Sequence, residues 1–377
     1  MDWKPHAARL ADTVVHHTSG WYAPLAHVPR HTFIPRWFTA GPDGWHTTDG
    51  QDDEDAWAAT AYSDTSVVTR VGPQHADDAP TGTPVIGRPS SSSTHPGLVV
   101  QMLSHAHLTH GARILDVATG SGYSAALTAY RYGDQNVTSI DVDPYLTKAA
   151  ADRLASAGLH PEVITCDATG DLPGEYDRIV SMVSMPTIPA SWLTALRRRG
   201  RLVTTLADTG LVITADKTPD GGAAGRVEWD RAAFMTTRAG NDYPPTLNDL
   251  FTAIRHEDGE QTATSPYPVI SVMEAWEVWS MLSLTAPGIE HRMQRNDDGT
   301  TTAWMLHADG SWARATSPAG STTSTVHQGG PRRLWDELDA IRARWLREGQ
   351  LPVYGARVTI TPDGATRLER NGWTVTL

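Results

Sequence analysis

The chain has 377 residues, of which 40% are hydrophobic and 20% charged, and its formal net charge is −12. This is an ordinary globular composition, in a chain too long for one small core. The acidic balance argues against sequence-independent binding to nucleic acid, which needs Lys and Arg to neutralise phosphates.

Cys166 is the single cysteine, so an intrachain disulfide and a cysteine-rich zinc centre are excluded. No apolar run approaches the ~20 residues a membrane helix needs. Met1–His6 lacks the charged-then-apolar layout of a signal peptide. The expectation is a cytoplasmic protein that works on neither membrane nor nucleic acid.

Residues up to Val71 mix Trp, His and Pro with short apolar runs and give weak helix and strand signals; Gly72–Pro89 reads as a loop or insertion. The pattern sharpens from His95 to Leu206. A helix is predicted over Pro96–His107, and Ala112–Val117 reads as a short buried strand running into a Gly-containing turn. Ser124–Tyr130 continues as a helix. Val137–Asp141 is a second strand, and Asp143-Pro144 supplies an N-cap followed by proline at the first helical position. Leu146, Ala150, Leu154 and Ala157 then recur at helical spacing before Gly158. Val163–Thr165, Arg178–Met182 and Arg201–Leu206 read as strands, with a helix predicted over Ala190–Arg199. Alternating strands and helices imply a parallel, doubly wound Rossmann-like sheet.

Beyond Gly210 the rhythm changes to turn signals between Val-, Thr- and Trp-rich segments. Thr301–His307 and Ser311–Thr316 form an expected hairpin across Ala308-Asp309-Gly310, and Arg332–Glu348 has helical spacing. Residues 1–212 are therefore expected as one domain and 213–377 as a separate α+β module, with its many tryptophans in its core or along a peptide groove.

The chemistry concentrates in Asp116-Val117-Ala118-Thr119-Gly120-Ser121-Gly122-Tyr123, between a strand and a helix. Small residues there let backbone N–H groups and the helix N-terminus approach a ligand. Asp141 ends the next strand, followed by Val142, about 20 residues beyond the turn, where a carboxylate can bind ribose hydroxyls. A dinucleotide enzyme would share this arrangement, but Ala118 occupies the first glycine position of that fingerprint. Asp116, directly after the strand, better suits the positively charged aminoacyl end of S-adenosylmethionine (AdoMet) than a pyrophosphate. Asp167, next to Ala168 at the third strand end, could accept from an adenine amino group or simply cap a turn. No metal site is expected: His107 lies on a different helix face from His105, and no carboxylates accompany them or His110.

These segments resemble the protein-L-isoaspartate O-methyltransferase family. Leu115–Tyr123, Ile140-Asp141 and Cys166-Asp167 are similar to its cofactor motifs. Val28–Pro35, Tyr62-Ser63-Asp64, Ser92–Pro96, Tyr176–Ile179, Ile188-Pro189 and Gly200–Leu202 follow its further pattern in order, across roughly residues 20–210. The resemblance implies AdoMet as cofactor, S-adenosyl-L-homocysteine as product, and cofactor contacts from Asp116, Ala118, Thr119, Gly120, Ser121, Gly122, Tyr123, Asp141, Val142, Asp167 and Ala168.

It also puts Thr94 at the position of the family's active-site serine, with Ser92, Ser93 and Asp64 as further candidate catalytic groups. The sequence departs from the pattern at Ala118 and Cys166, each in place of a glycine, at Thr94, in a longer stretch between Asp64 and Thr94, and in continuing to Leu377. Those departures resemble divergent members that accompany bacterial ribosomal-peptide (lanthipeptide-type) clusters. They imply methylation of an Asp side chain in a modified precursor peptide held partly by the C-terminal module. The methyl ester would cyclise to aspartimide, which hydrolyses to isoaspartate. The alternatives are repair of isoaspartyl residues in damaged proteins and a non-catalytic module that retains AdoMet.

Overall fold

A computed structural model describes residues 1–238, 240 and 242–377. Its centre is a ten-stranded sheet, whose strands are numbered β1 (Ile114–Val117), β2 (Val137–Asp141), β3 (Glu162–Thr165), β4 (Tyr176–Met185), β5 (Leu196–Leu206), β6 (Leu211–Lys217), β7 (Ala223–Arg231), β8 (Arg357–Ile360), β9 (Thr366–Arg370) and β10 (Trp373–Thr376). Their spatial order is β10-β9-β8-β7-β6-β5-β4-β1-β2-β3. The first five are parallel and the remainder antiparallel.

Alternating side chains bury both faces of this sheet. Ile114, Val180, Val203 and Val212 join a core with Leu98, Met102, Leu103 and Leu127, whereas Leu115, Ile179, Leu202 and Ile213 face the opposite core around Trp192 and Leu193. A two-residue period with both faces apolar is what a covered parallel sheet requires.

Three expectations need correction. The boundary at 212 falls inside β6, and the sheet continues through β7 and regains the chain's last three strands. Residues between β7 and β8 are thus an insertion into one sheet, not a module following it. The insertion carries its own five-stranded antiparallel sheet, including the Thr301–Leu306 and Trp312–Ser317 hairpin, packed on helices Trp276–Thr285 and Leu334–Arg347. Val278 and Leu282 of the first helix face this inserted core, and Trp276, Met281 and Leu284 face the central one. One helix therefore joins both cores.

The helix predicted to reach Arg199 ends at Ala195. Leu196–Leu206 pairs instead with β4, through an irregularity that leaves Arg199 at φ 63°. Lys217 Nζ donates to Leu193 O and Leu196 O at 2.6 Å each, satisfying carbonyls at the end of the shortened helix.

The weakly patterned N-terminal region is also ordered. Arg36–Gly41, Gly44–Asp49, Val67–Val71, Gln74–His75 and Pro89–Ser93 form a small antiparallel sheet. Pro89–Ser93 is four serines after a proline, a poor strand former alone; pairing with Val67–Val71 makes it a strand. No helix among the described residues is long and apolar enough to cross a membrane.

Candidate active site

The strand order reverses at β1, which has β2 on one side and β4 on the other. Such a switch point opens a crevice outside the carboxyl ends of the strands. A cavity of about 270 Å³ lies there. Its floor is Val117–Ser121 with Tyr123 and Ser124. One side is formed by Ile140–Val142 and Cys166–Ala168, and the other by Ser66, Ser90–Ser92 and Thr94.

The turn is built by backbone conformation. Gly120 and Gly122 have φ of 53° and 94°, and Ala118 adopts 72° although it carries a Cβ. Ala118 N and Thr119 N both donate to Ile140 O, at 2.8 and 3.0 Å, folding the turn against β2. Asp141 completes it: Oδ2 accepts from Gly120 N at 2.9 Å and Oδ1 from Asp143 N at 3.1 Å. Burial raises the pKa of this carboxyl, and those two N–H donors oppose the shift.

Asp116 and Gly122 are not on the cavity wall, contrary to the expectation of direct cofactor contact. Asp116 lies fully buried beneath the turn, where Ser124 and Ser139 hydroxyls donate to its Oδ2 at 2.9 and 2.8 Å. Burial pushes its pKa up to about 7. Its Oδ1 has no hydrogen-bond partner. Gly122 starts helix Tyr123–Tyr132, with Ala150 so close that an added Cβ would stand 3.1 Å from the Ala150 Cβ.

Asp167 is on the wall and also caps a turn, accepting from Thr169 N and Thr169 Oγ1 at 2.8 and 2.7 Å. Cys166 is half-buried beside it. The small-residue turn, the buried Asp141 at the ribose position and the wall acid Asp167 fit AdoMet. Ala118, Thr119, Gly120, Ser121, Tyr123, Asp141, Val142, Asp167 and Ala168 would hold it.

On the opposite wall, Thr94 and Ser92 line the cavity, and neither hydroxyl has a hydrogen-bond partner among the described residues. Thr94 is not the cap of the following helix; that is His95, whose Nδ1 accepts from Leu98 N at 3.2 Å. Two expected catalytic groups lie elsewhere. Ser93 is buried and does not line the cavity, and Asp64 braces the helix start, accepting from Gly97 N at 2.7 Å. Carboxylate preference for free helix N–H groups accounts for the second.

Two parts of the site escaped sequence reasoning. Arg30 is fully buried, and its guanidinium donates to Ala61 O, Ser63 O, Thr65 O, Ser93 O and Thr94 O at 2.8–3.4 Å. It binds the loop before Ser66 to the loop carrying Thr94. Burial lowers its pKa to about 10, leaving it a cation at neutral pH. The Val28-Pro29-Arg30 segment was the available signal.

The second is a roof, Ala233–Arg238 with Tyr243, which closes over the cavity. Ser184 N donates to Met235 O at 2.9 Å, Thr237 N to Ser184 O at 3.0 Å, and Tyr243 Oη to Thr236 O at 2.8 Å. At its far end Arg238 approaches Asp143 to 3.6 Å, beside Arg70 and His75 on the same carboxylate. Nothing periodic marks this stretch in the sequence. His105, considered for a metal, donates from Nε2 to Asp230 Oδ2 at 2.8 Å, and no group of metal-ligating side chains occurs among the described residues.

Residues 73–229 match the family described as protein-L-isoaspartate(D-aspartate) O-methyltransferase. Protein-L-isoaspartate O-methyltransferase 2 of Archaeoglobus fulgidus is 26% identical over 245 residues, covering 63% of this chain and 95% of that protein. The Methanoculleus marisnigri enzyme is 36% identical over 113 residues, 29% of this chain and 50% of that one. The chain thus spans nearly all of one relative and about half of the other. A solved protein-L-isoaspartate O-methyltransferase covers 99% of this chain and 98% of its own, at 16% identity and TM-score 0.48. A Plasmodium falciparum structure in complex with S-adenosyl-L-homocysteine covers 63% of this chain and 99% of its own, at 16% identity and TM-score 0.42. With the ordered motifs and the switch-point cavity, the family match over residues 73–229 and the similarity to the curated relatives support a divergent member of the protein-L-isoaspartate O-methyltransferase family, AdoMet-dependent enzymes that methylate carboxyl groups.

Proposed function

We propose that this enzyme methylates an aspartyl side-chain carboxylate in a ribosomally made, otherwise modified peptide. The observation that carries the carboxylate reading is the cavity wall opposite the cofactor turn, where Ser92 and Thr94 bring hydroxyls that have no hydrogen-bond partner among the described residues. Bound AdoMet supplies an electrophilic methyl group on a sulfonium. An aspartate is already ionised at neutral pH, its ordinary pKa being ~3.9, so the wall need only orient it. Ser92 and Thr94 would donate to one carboxylate oxygen and leave the other free to take the methyl, while the roof excludes water. The methyl group would pass from the sulfonium sulfur to that free oxygen, with S-adenosyl-L-homocysteine, now an uncharged thioether at sulfur, as the product. The following peptide nitrogen then displaces methanol from the ester, giving aspartimide, which water opens to isoaspartate or aspartate.

A dedicated peptide is supported by the departures at Ala118, Cys166 and Thr94 and by the inserted unit, which would help hold the substrate. The extent of the match to the Archaeoglobus fulgidus protein favours a second reading, repair of isoaspartyl residues. Labelled AdoMet offered with an aspartyl peptide, an isoaspartyl peptide and any precursor peptide encoded beside the gene separates them by mass. Methylation or loss of water on the precursor peptide supports the first reading. Methylation of the isoaspartyl standard alone would replace it with repair.

A further inference from the structure

Where β7 leaves the central sheet, a ledge of alternating rings and guanidinium groups runs up to the cavity roof. Trp229 is 61% exposed, the most exposed tryptophan among the large hydrophobic residues at the surface. Arg370 lies over one side of its ring at 5.5 Å, and Tyr354 stands 5.7 Å away. Tyr354 in turn packs against Trp276 at 4.1 Å, and Arg231 covers Trp276 at 4.3 Å. Tyr354 and Trp276 are nearly buried and hold the outer groups in place.

Neither Arg231 nor Arg370 forms an ion pair among the described residues. Guanidinium groups stacked on rings keep their donor edges free for an incoming carboxylate. An exposed indole between such cations, in a chain of net charge −12, is a local surface that attracts acidic chains. It is also continuous with the active site, because Arg231 is two residues from Ala233 of the roof. At ~3.3 Å per residue, the ledge begins about 7 Å and extends about 13 Å from that roof residue. An extended peptide with its aspartate in the cavity would lay residues about two to four positions away across it.

We propose that this ledge docks an acidic segment of the substrate peptide, with Trp229 covering its backbone and Arg231 and Arg370 reading its carboxylates. This rests on the peptide-methylation reading above. It adds that substrates are selected by charge close to the acceptor.

The test uses the full chain and synthetic peptides with one acceptor aspartate and Glu, Gln or Lys at the second to fourth positions on either side. Tandem mass spectrometry locates the methyl group, and kcat/KM is measured for the wild type, W229A and R231E. The wild type should prefer the Glu over the Lys peptides by about tenfold, the factor expected for one charge-assisted contact. W229A should lower kcat/KM for all long peptides without changing AdoMet affinity, and R231E should invert the charge order. Should a variant fail to bind AdoMet, the wild type decides alone: its preference for Glu must weaken with added salt. Equal rates on the three peptides, or a charge order that R231E leaves intact, would overturn the proposal while leaving peptide methylation standing. A wild type that binds AdoMet but methylates no peptide would remove both.

Discussion

Replacing Arg30 with Lys preserves its charge but removes donors from a site that engages both η nitrogens. The guanidinium serves five carbonyls, at Ala61, Ser63, Thr65, Ser93 and Thr94. An ammonium has three donors, so at least two carbonyls lose their partner. Each buried acceptor left unsatisfied costs about 1–3 kcal/mol. Loop relaxation recovers part of that, and the net loss should be about 2–5 kcal/mol against a total of ~5–15 for a folded domain. Urea unfolding with an unchanged m value measures it. Because the orphaned carbonyls sit in the loops bearing Ser66 and Thr94, kcat/KM for peptide should fall further than AdoMet affinity. A variant within about 0.5 kcal/mol of wild type, with peptide kinetics intact, would refute the idea that the guanidinium holds these loops together.

Asp141→Ala should weaken AdoMet binding about tenfold to a hundredfold by calorimetry, since a charged hydrogen bond contributes ~1.5–3 kcal/mol; unchanged affinity would exclude Asp141 from the ribose site. Asp116 has a folded pKa of about 7, above the ~3.9 of an unfolded aspartate. Its proton is held more tightly in the folded state, so the stability contributed by this group is fully present below pH ~4 and is lost as pH rises to about 7. Asp116→Asn should therefore gain on wild type as pH rises through that window, and parallel Tm profiles would contradict it. Ala118→Gly relieves a left-handed residue worth about 1–2 kcal/mol, offset by ~0.5–1 of added chain entropy. A stability change between zero and about 1.5 kcal/mol in favour of glycine is expected in thermal unfolding, and a clear destabilisation would show that the Ala118 methyl packs usefully.

What could be read from residues alone was local. Asp143-Pro144 announced its helix because cap and first turn lie within one segment, and Asp309-Gly310 announced its hairpin likewise. The turn from Asp116 to Tyr123 was legible because small residues, strand and helix adjoin. Leu196–Leu206 was not, because its apolar spacing suits a helix until β4 is seen beside it. The return of β8–β10 depends on partners far away in the chain, which no local window contains. Arg30 illustrates a different limit. Its carbonyl partners come from two segments distant in the chain, Ala61–Thr65 and Ser93-Thr94, and carbonyls carry no residue identity to read.

The insertion between β7 and β8 has one further consequence. Arg226 pairs with Arg357, and Ala223 with Ile360, so every residue between them must be synthesised before β8 can join the sheet. The parallel half, with its AdoMet cavity, can assemble while the ribosome is still translating, but the β7 edge stays open until Arg357–Ile360 has been made. An open β7 edge is a template for mispairing with other chains. Closing so long a loop is entropically mild, because each doubling of length adds only ~0.6 kcal/mol; the slow step is waiting for the partner. Chains stalled or cut before Arg357 would therefore keep a recognisable methyltransferase half and still be the species most prone to aggregate.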